Sequence, residues 1–411
     1  MDKRIVHTPE GVRDIYGQEY AKKLAVEELL HQTFRSFGYQ DIQTPTFEFF
    51  DVFSKEIGTT PSKELYKFFD KEGNTLVLRP DFTPSIARCA AKYFIDETLP
   101  VRFCYSGNTF TNTSNLQGKL KEVTQMGVEL IGEPSVYADA ETIALIVESL
   151  RSAGLDKFQI SVGDVEYFRG LCKEANLSEE TESALRDYIS EKNYFGAEEL
   201  LIQENISEQH REGLLKMNEL FGGFDVIETA KKLIHNPVSE EALARLEKLY
   251  EVLKEYGVEK YISFDLGLLS KYHYYTGVIF KAYTYGIGDA IVKGGRYDSL
   301  LEKFGKKSSA IGFVIVVDDV LEALSRQNIS VNVSTTDTLI VYKENVHSQA
   351  LESAKKLRED GCFVSLLPAD KQKTATDYEN YALANRFAQI IFMEENGSTK
   401  TVSVPSNGEG K

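Results

Sequence analysis

Strand-forming runs lie on both sides of a long helix-rich stretch, and this interruption constrains the fold of the 411-residue chain more than any other feature. Before it come Leu76-Val77-Leu78, Val101 to Tyr105 and Gly127 to Gly132. After it come Tyr261 to Asp265, Val278 to Tyr283 and Ala310 to Val317. All are short runs rich in the β-branched and aromatic residues that strands favour. In the stretch between, roughly 164–256, Leu243, Leu246, Leu249, Tyr250 and Leu253 recur at helical spacing, and Asn236-Pro237 marks a break. The pattern predicts an α+β core over 1–330, with a mixed, mainly antiparallel sheet and a helical insertion at about 164–256.

Near the N-terminus, Tyr20 to Phe37 predicts an amphipathic helix with Val26, Leu29, Leu30, Thr33, Phe34 and Phe37 on one stripe. Gly38 stands where a helix-ending glycine is expected, and Asp41 to Pro45 reads as extended chain ended by proline. The aromatic and aliphatic residues from Phe37 to Phe50 (Phe37, Tyr39, Ile42, Pro45, Phe47, Phe49 and Phe50) offer more apolar surface than a lone edge leaves bare, which predicts a homodimer contact. A polar, β-branched linker, Asn328 to Thr336, leads to a tail over 335–411. There, strands at Leu339–Tyr342, Phe363–Leu367 and Gln389–Phe392 alternate with helices at Gln349–Arg358 and Thr376–Phe387, which predicts a small α/β domain.

Composition narrows the function classes. A hydrophobic share of 42% with 27% charged residues is that of a globular protein. No apolar run reaches membrane-spanning length, and the opening Met1 to His7 lacks an apolar signal core, so the cytoplasm is the expected compartment. The net charge of −16 weighs against nucleic acid, because phosphate contacts require a basic face. Cys89, Cys104, Cys172 and Cys362 are scattered without a C-x-x-C pair, and the six histidines form no paired-ligand spacing. Neither a metal nor a cofactor is expected. No phosphate loop or G-x-S-x-G elbow occurs, and Gly286-Ile287-Gly288 lacks the third glycine of a dinucleotide loop.

Several short blocks then occur in a telling order. They are Pro9-Glu10-Gly11-Val12-Arg13-Asp14, Gly38 to Pro45, Leu78-Arg79-Pro80-Asp81-Phe82-Thr83, Phe103 to Phe110 with Gln125-Met126-Gly127-Val128-Glu129, Tyr274-Tyr275-Thr276-Gly277, and Gly294-Gly295-Arg296-Tyr297-Asp298. Together they resemble a class II aminoacyl-tRNA synthetase, most closely histidyl-tRNA synthetase, over about Pro9 to Leu324. The resemblance implies a pocket for free histidine. Asp81, in place of a longer glutamate, and Thr83 would accept from the ammonium. Gln125 would lie near the amine. Glu129 with Tyr274 or Tyr275 would hold the imidazole, which suits charge-assisted hydrogen bonding and aromatic walls. The tail resembles the anticodon-binding domain of the synthetase. Yet nine Lys/Arg against eleven Asp/Glu from Thr335 to Lys411 leave it acidic, which favours docking on protein over RNA.

The ATP side departs from the synthetase pattern. Where that pattern has Phe-Arg-x-Glu, the chain reads Phe110-Thr111-Asn112-Thr113. Asp319 replaces the arginine expected to hold the γ-phosphate, and Ser270 replaces a third arginine in Ser270-Lys271-Tyr272-His273-Tyr274-Tyr275. Lys271 is adjacent but alternates to the opposite face, and His273 reads as structural because no nucleophile or base partner accompanies it. Loss of one electrostatic donor costs about 3–4 kcal/mol of transition-state stabilisation, so adenylation is not expected. A kept scaffold with lost cations resembles the synthetase-like regulatory subunits of ATP phosphoribosyltransferase. That resemblance implies no catalytic residues, a short-form catalytic subunit as partner in a hetero-octamer, and histidine as effector. The alternatives are a histidyl-tRNA synthetase with unusual motifs and another amino-acid-sensing pseudo-synthetase.

Overall fold

The computed structural model describes residues 6–54, 60–113, 120–270, 274–333 and 337–404. Two compact units divide the chain, Met1–Val331 and Asn332–Lys411.

The first unit opens with α1 (Gly17–Ser36), which buries Lys23, Val26, Leu30 and Phe34. Leu29, expected on the same stripe, is exposed. At about 100° per residue it lies a quarter-turn from Leu30, beyond the buried face. Short strands follow: β1 (Gln40–Asp41), β2 (Phe47–Phe49), β3 (Lys67–Phe69) and β4 (Thr75–Leu78). Next come α2 (Thr83–Tyr93), started by Pro84, the long hairpin β5 (Val101–Phe110) and β6 (Glu122–Ile131), then α3 (Val136–Ser152) and β7 (Phe158–Asp164). The helix-rich stretch holds α4 (Val165–Glu174), α5 (Glu179–Ser190), α6 (Tyr194–Gln203) and α7 (Glu208–Lys216). A two-residue strand, β8 (Phe221–Gly222), precedes α8 (Asp225–Lys231) and α9 (Pro237–Glu255). The sheet resumes with β9 (Ile262–Asp265), β10 (Val278–Thr284), β11 (Val292–Arg296) and β12 (Ala310–Val316), and α10 (Val317–Arg326) closes the unit.

Nine of these strands make one sheet in the order β1-β5-β6-β12-β11-β10-β7-β9-β8. The β1–β5 and β7–β9 pairs are parallel and the other pairs antiparallel, the class II synthetase-like α+β architecture. Alternation assigns the two faces. Val128, Leu130 and Phe313 join Leu30, Phe34 and Ile143 in the main core beneath α1, α3 and α9. Phe103, Tyr105 and Ile279 face the other way and pack with Phe82, Tyr275 and Tyr297. That second face carries the candidate site.

A separate three-stranded sheet, β2-β4-β3, presents Phe47, Phe49, Phe68 and Phe69 to solvent at 52%, 55%, 37% and 73% exposure. Of the residues expected to form a dimer contact, Tyr39 is instead buried in the main core, with Arg102 5.4 Å above its ring.

The second unit contains β13 (Thr338–Tyr342), α11 (His347–Glu359), β14 (Val364–Pro368), α12 (Ala375–Ala384), β15 (Gln389–Met393) and β16 (Thr399–Ser403). Its sheet order is β14-β13-β15-β16, with β13 parallel to both neighbours. Leu339, Val341 and Ile390 pack under Tyr378 and Ala382 of α12, while Ile340 and Met393 pack under Ala350 and Ala354 of α11. A two-sided core of this kind follows from unbroken apolar runs in the central strands. The polar β16 lacks such a run and pairs as an antiparallel edge.

Candidate functional site

Glu129 sits on β6 opposite Gly312 of β12, on the second sheet face. Both of its oxygens are engaged. Thr83 Oγ1, at the start of α2, donates to Oε1 at 2.7 Å, and the Tyr297 hydroxyl donates to Oε2 at 2.5 Å. The residue is 1% exposed, and burial pushes its carboxyl up to about 8; the two hydroxyl donors oppose that rise and the Asp81 charge adds to it. The cross-strand glycine makes room for it. A Cβ at Gly312 would stand 1.8 Å from Glu129 Oε2.

Thr83 joins this acid to a second one. Its amide donates to Asp81 Oδ1 at 3.3 Å, and the Tyr274 hydroxyl donates to Asp81 Oδ2, also at 3.3 Å. Asp81 is only partly covered, yet burial raises its carboxyl as well. Tyr274 lies 4.8 Å from Tyr275, centroid to centroid, and 6.2 Å edge-on from Tyr297. Asp81, Thr83, Glu129, Tyr274 and Tyr275 therefore gather at one place. The tyrosine hydroxyl bonded to Glu129 is that of Tyr297.

Among the described residues, two buried polar atoms on this face of β5 and β6 have no hydrogen-bond partner: the Tyr105 hydroxyl and Gln125 Oε1. Tyr105 stacks on Phe82 at 4.4 Å, and a Cβ at Gly127 would stand 2.4 Å from its hydroxyl. Gln125 lies two residues before Gly127 on the same face of β6. An unpartnered buried hydroxyl and amide oxygen each carry a desolvation cost of about 1–3 kcal/mol, which a polar ligand relieves. Tyr105 and Tyr297 were missed as site residues. Both stand inside recognised blocks, but Tyr297 meets Glu129 across 168 positions, a contact that no local spacing encodes.

The positions at which arginines were expected carry threonine, serine and aspartate. Thr111 directly follows β5, and its amide donates to the Lys121 carbonyl at 2.9 Å. Thr113 buries its hydroxyl without a partner among the described residues. Asp319 lies in the first turn of α10, where burial pushes its carboxyl up to about 6; Lys293 opposes the shift, while Asp289, Asp318 and Glu322 reinforce it. Its neighbour Asp318 is already committed, to Lys23 Nζ at 3.1 Å and to the Thr124 amide at 2.6 Å. Ser270 is described, whereas Lys271 and His273 lie outside the described residues. The acidic neighbours of Asp319 would repel a polyphosphate.

Residues 11–320 match the family model described as histidyl-tRNA synthetase. The ATP phosphoribosyltransferase regulatory subunit of Acetivibrio thermocellus is 42% identical over 361 residues, covering 88% of this chain and 86% of that protein. The protein of the same name from Ruminiclostridium cellulolyticum is 37% identical and spans 99% of this chain and 97% of its own length. The crystal structure of an ATP phosphoribosyltransferase regulatory subunit/histidyl-tRNA synthetase from Bacillus halodurans superposes with a TM-score of 0.84 at 34% identity, covering 95% of this chain and 98% of that one. Histidyl-tRNA synthetase from Nostoc, at 18% identity and a TM-score of 0.78 over 97% of each chain, shares the fold. On these grounds the chain belongs to the ATP phosphoribosyltransferase regulatory subunit family, within the wider family of histidyl-tRNA synthetases.

Proposed function

We propose that this chain binds free histidine in the Glu129 pocket and uses that binding to regulate a short-form ATP phosphoribosyltransferase catalytic subunit at the first step of histidine biosynthesis. The observation that carries the reading is the buried acid. Glu129 is fixed by Thr83 and Tyr297 on the sheet face that also carries the Tyr105 hydroxyl and Gln125 oxygen, which have no hydrogen-bond partner among the described residues. An imidazole N–H donating to Glu129 would add a charge-assisted bond, and the ligand's ammonium would find Asp81. With Asp319 in an acidic neighbourhood, the same bound histidine has no route to adenylation.

Ligand binding then acts by differential affinity. Histidine shifts the assembly toward the state that binds it better, by no more than its preference for that state. We assign the chain to the cytoplasm, as a homodimer within a hetero-octamer. The names of its relatives support the catalytic partner, and the bare phenylalanines of β2 and β3 support self-association. Nucleic acid is left out of this assignment.

The test is the histidine response of the full chain, alone and assembled with the catalytic subunit. Histidine at a hundredfold excess over its dissociation constant stabilises the bound form by about 2.7 kcal/mol, read as a thermal shift. Glu129→Gln is expected to shrink that shift and blunt histidine inhibition of the transferase while leaving assembly intact. His210→Gln, on the half-buried His210 of α7, is expected to change neither. An unchanged histidine response in Glu129→Gln moves the regulatory site off this pocket.

A further inference from the structure

We propose that His31, Asp41 and Cys104 form a binding site for a divalent transition metal of the zinc class at the β1 edge of the large sheet. Among the described residues, their nitrogen, oxygen and sulfur donors lie within 4.8 Å of one another. The mixed set is selective. A thiolate and an imidazole favour zinc over magnesium or calcium, which prefer all-oxygen cages.

The three donors come from separate elements, which is why no ligand spacing shows in the sequence. His31 projects from α1, Asp41 from β1 and Cys104 from β5. The parallel β1–β5 ladder sets Asp41 directly beside Cys104, so backbone pairing fixes two of the donors before any ion arrives. Zinc bonds of about 2.0–2.3 Å in a tetrahedral set place neighbouring donors roughly 3.3–3.7 Å apart. Cys104 Sγ is 3.5 Å from Asp41 Oδ1, already at that spacing. His31 Nε2 is hydrogen-bonded to the same oxygen at 2.6 Å and must open by roughly 0.8 Å to admit the ion. Its side chain is 38% exposed and has room to turn. Arg35 holds the other oxygen of Asp41 at 2.9 Å, which leaves Oδ1 turned toward the imidazole and the thiol. An outer partner that orients a ligating carboxylate in this way is the usual support of a metal site.

Glu27, one helical turn before His31, lines the same cleft of about 390 Å³ with His31, Asp41 and Cys104. It or a water molecule can complete the coordination. Binding displaces the Cys104 S–H proton: one metal–sulfur bond forms and one proton is released.

The test uses the full-length chain equilibrated with zinc alone, freed of excess by gel filtration, and counted by atomic emission. A single zinc ion per chain is expected, lost in His31→Gln and in Cys104→Ser and kept in Cys362→Ser. Cobalt in place of zinc is expected to give a sulfur-to-metal charge-transfer band that vanishes in Cys104→Ser. Absence of retained zinc, undiminished retention in both ligand variants, or a cobalt complex without the sulfur band overturns the proposal. Should Cys104→Ser fail to fold by circular dichroism, the His31→Gln count and the wild-type cobalt spectrum decide.

Discussion

Glu129 is buried with its charge opposed by the solvent it has lost, and that has a consequence for stability. Its carboxyl titrates near 4.5 when unfolded and at about 8 in the native chain. Between those values the folded state keeps a proton that the unfolded state has released. Stability from this group is therefore full below about 4.5, falls as pH rises through the window, and levels off above about 8. Glu129→Gln cannot ionise. Its urea stability is expected to fall less from about pH 5 to about pH 8 than that of the wild type, by on the order of a few kcal/mol. Asp164, pushed up to about 7 by burial, contributes a fall of the same sign to both proteins and cancels in the comparison. Equal pH slopes would show that Glu129 is not protonated in the empty pocket. Gly312 supplies a steric counterpart. A methyl group there collides with Glu129 Oε2 and with the Val128 carbonyl at 2.4 Å, so Gly312→Ala is expected to lose the histidine thermal shift and about 1–3 kcal/mol of stability.

At the scale of elements, the β2-β4-β3 sheet has one face with its own partner and one without. Glu48 points inward, 8% exposed, and takes Arg88 of α2 at 2.7 Å. Phe47 and Phe49 point out, and Phe49, Leu76 and Phe68 align across the three strands. A cross-strand aromatic row of this kind is an interface core in composition. The double substitution Phe49→Glu/Phe68→Glu is expected to weaken the proposed homodimer at least about tenfold in sedimentation, with the monomer still folded. Retention of the dimer at low concentration would place the contact elsewhere. This sheet also marks the limit of what the sequence discloses. Leu76 to Leu78 reads as a strand because it is apolar, whereas β3 is a three-residue edge whose pairing with β4 supplies its only strand signal. The two-residue β8 and polar β16 are equally silent. Half of each long strand, β5 from Val101 to Tyr105 and β6 from Gly127 onward, and the tail strands β13, β14 and β15 were legible because apolar runs carry the pattern. The candidate site divides the same way. Asp81, Thr83 and Glu129 could be named from their blocks, but the choice of Tyr297 as the Glu129 partner depends on β12 registering Gly312 against Glu129.

For the molecule as a whole, the retained sheet and the altered charges have to be explained together. A catalyst needs cations that meet the triphosphate while the amino acid is held, and on the proposed reading the Glu129 side holds the amino acid while Asp319 sits among acidic groups. The purified chain is expected to show no histidine-dependent exchange of pyrophosphate into ATP. Each missing donor removes about 3–4 kcal/mol of transition-state stabilisation, and a carboxylate in place of one of them adds repulsion. Restoring arginine at Thr111 and Asp319 together is not expected to restore exchange. An arginine at 319 would enter the first turn of α10 among Asp289, Asp318 and Glu322, and its nearest carboxylates would compete with ATP for the guanidinium. Asp318 would remain tied to Lys23 and to the Thr124 amide, holding the start of α10 against β6 in its present place. A misplacement of about 1 Å is enough to cost a hundredfold in rate, so charge alone does not rebuild the site. Measurable exchange in the unmodified chain would end the non-catalytic account. Recovery in the double arginine variant would show that only the charges, and not the geometry around them, separate this chain from a synthetase.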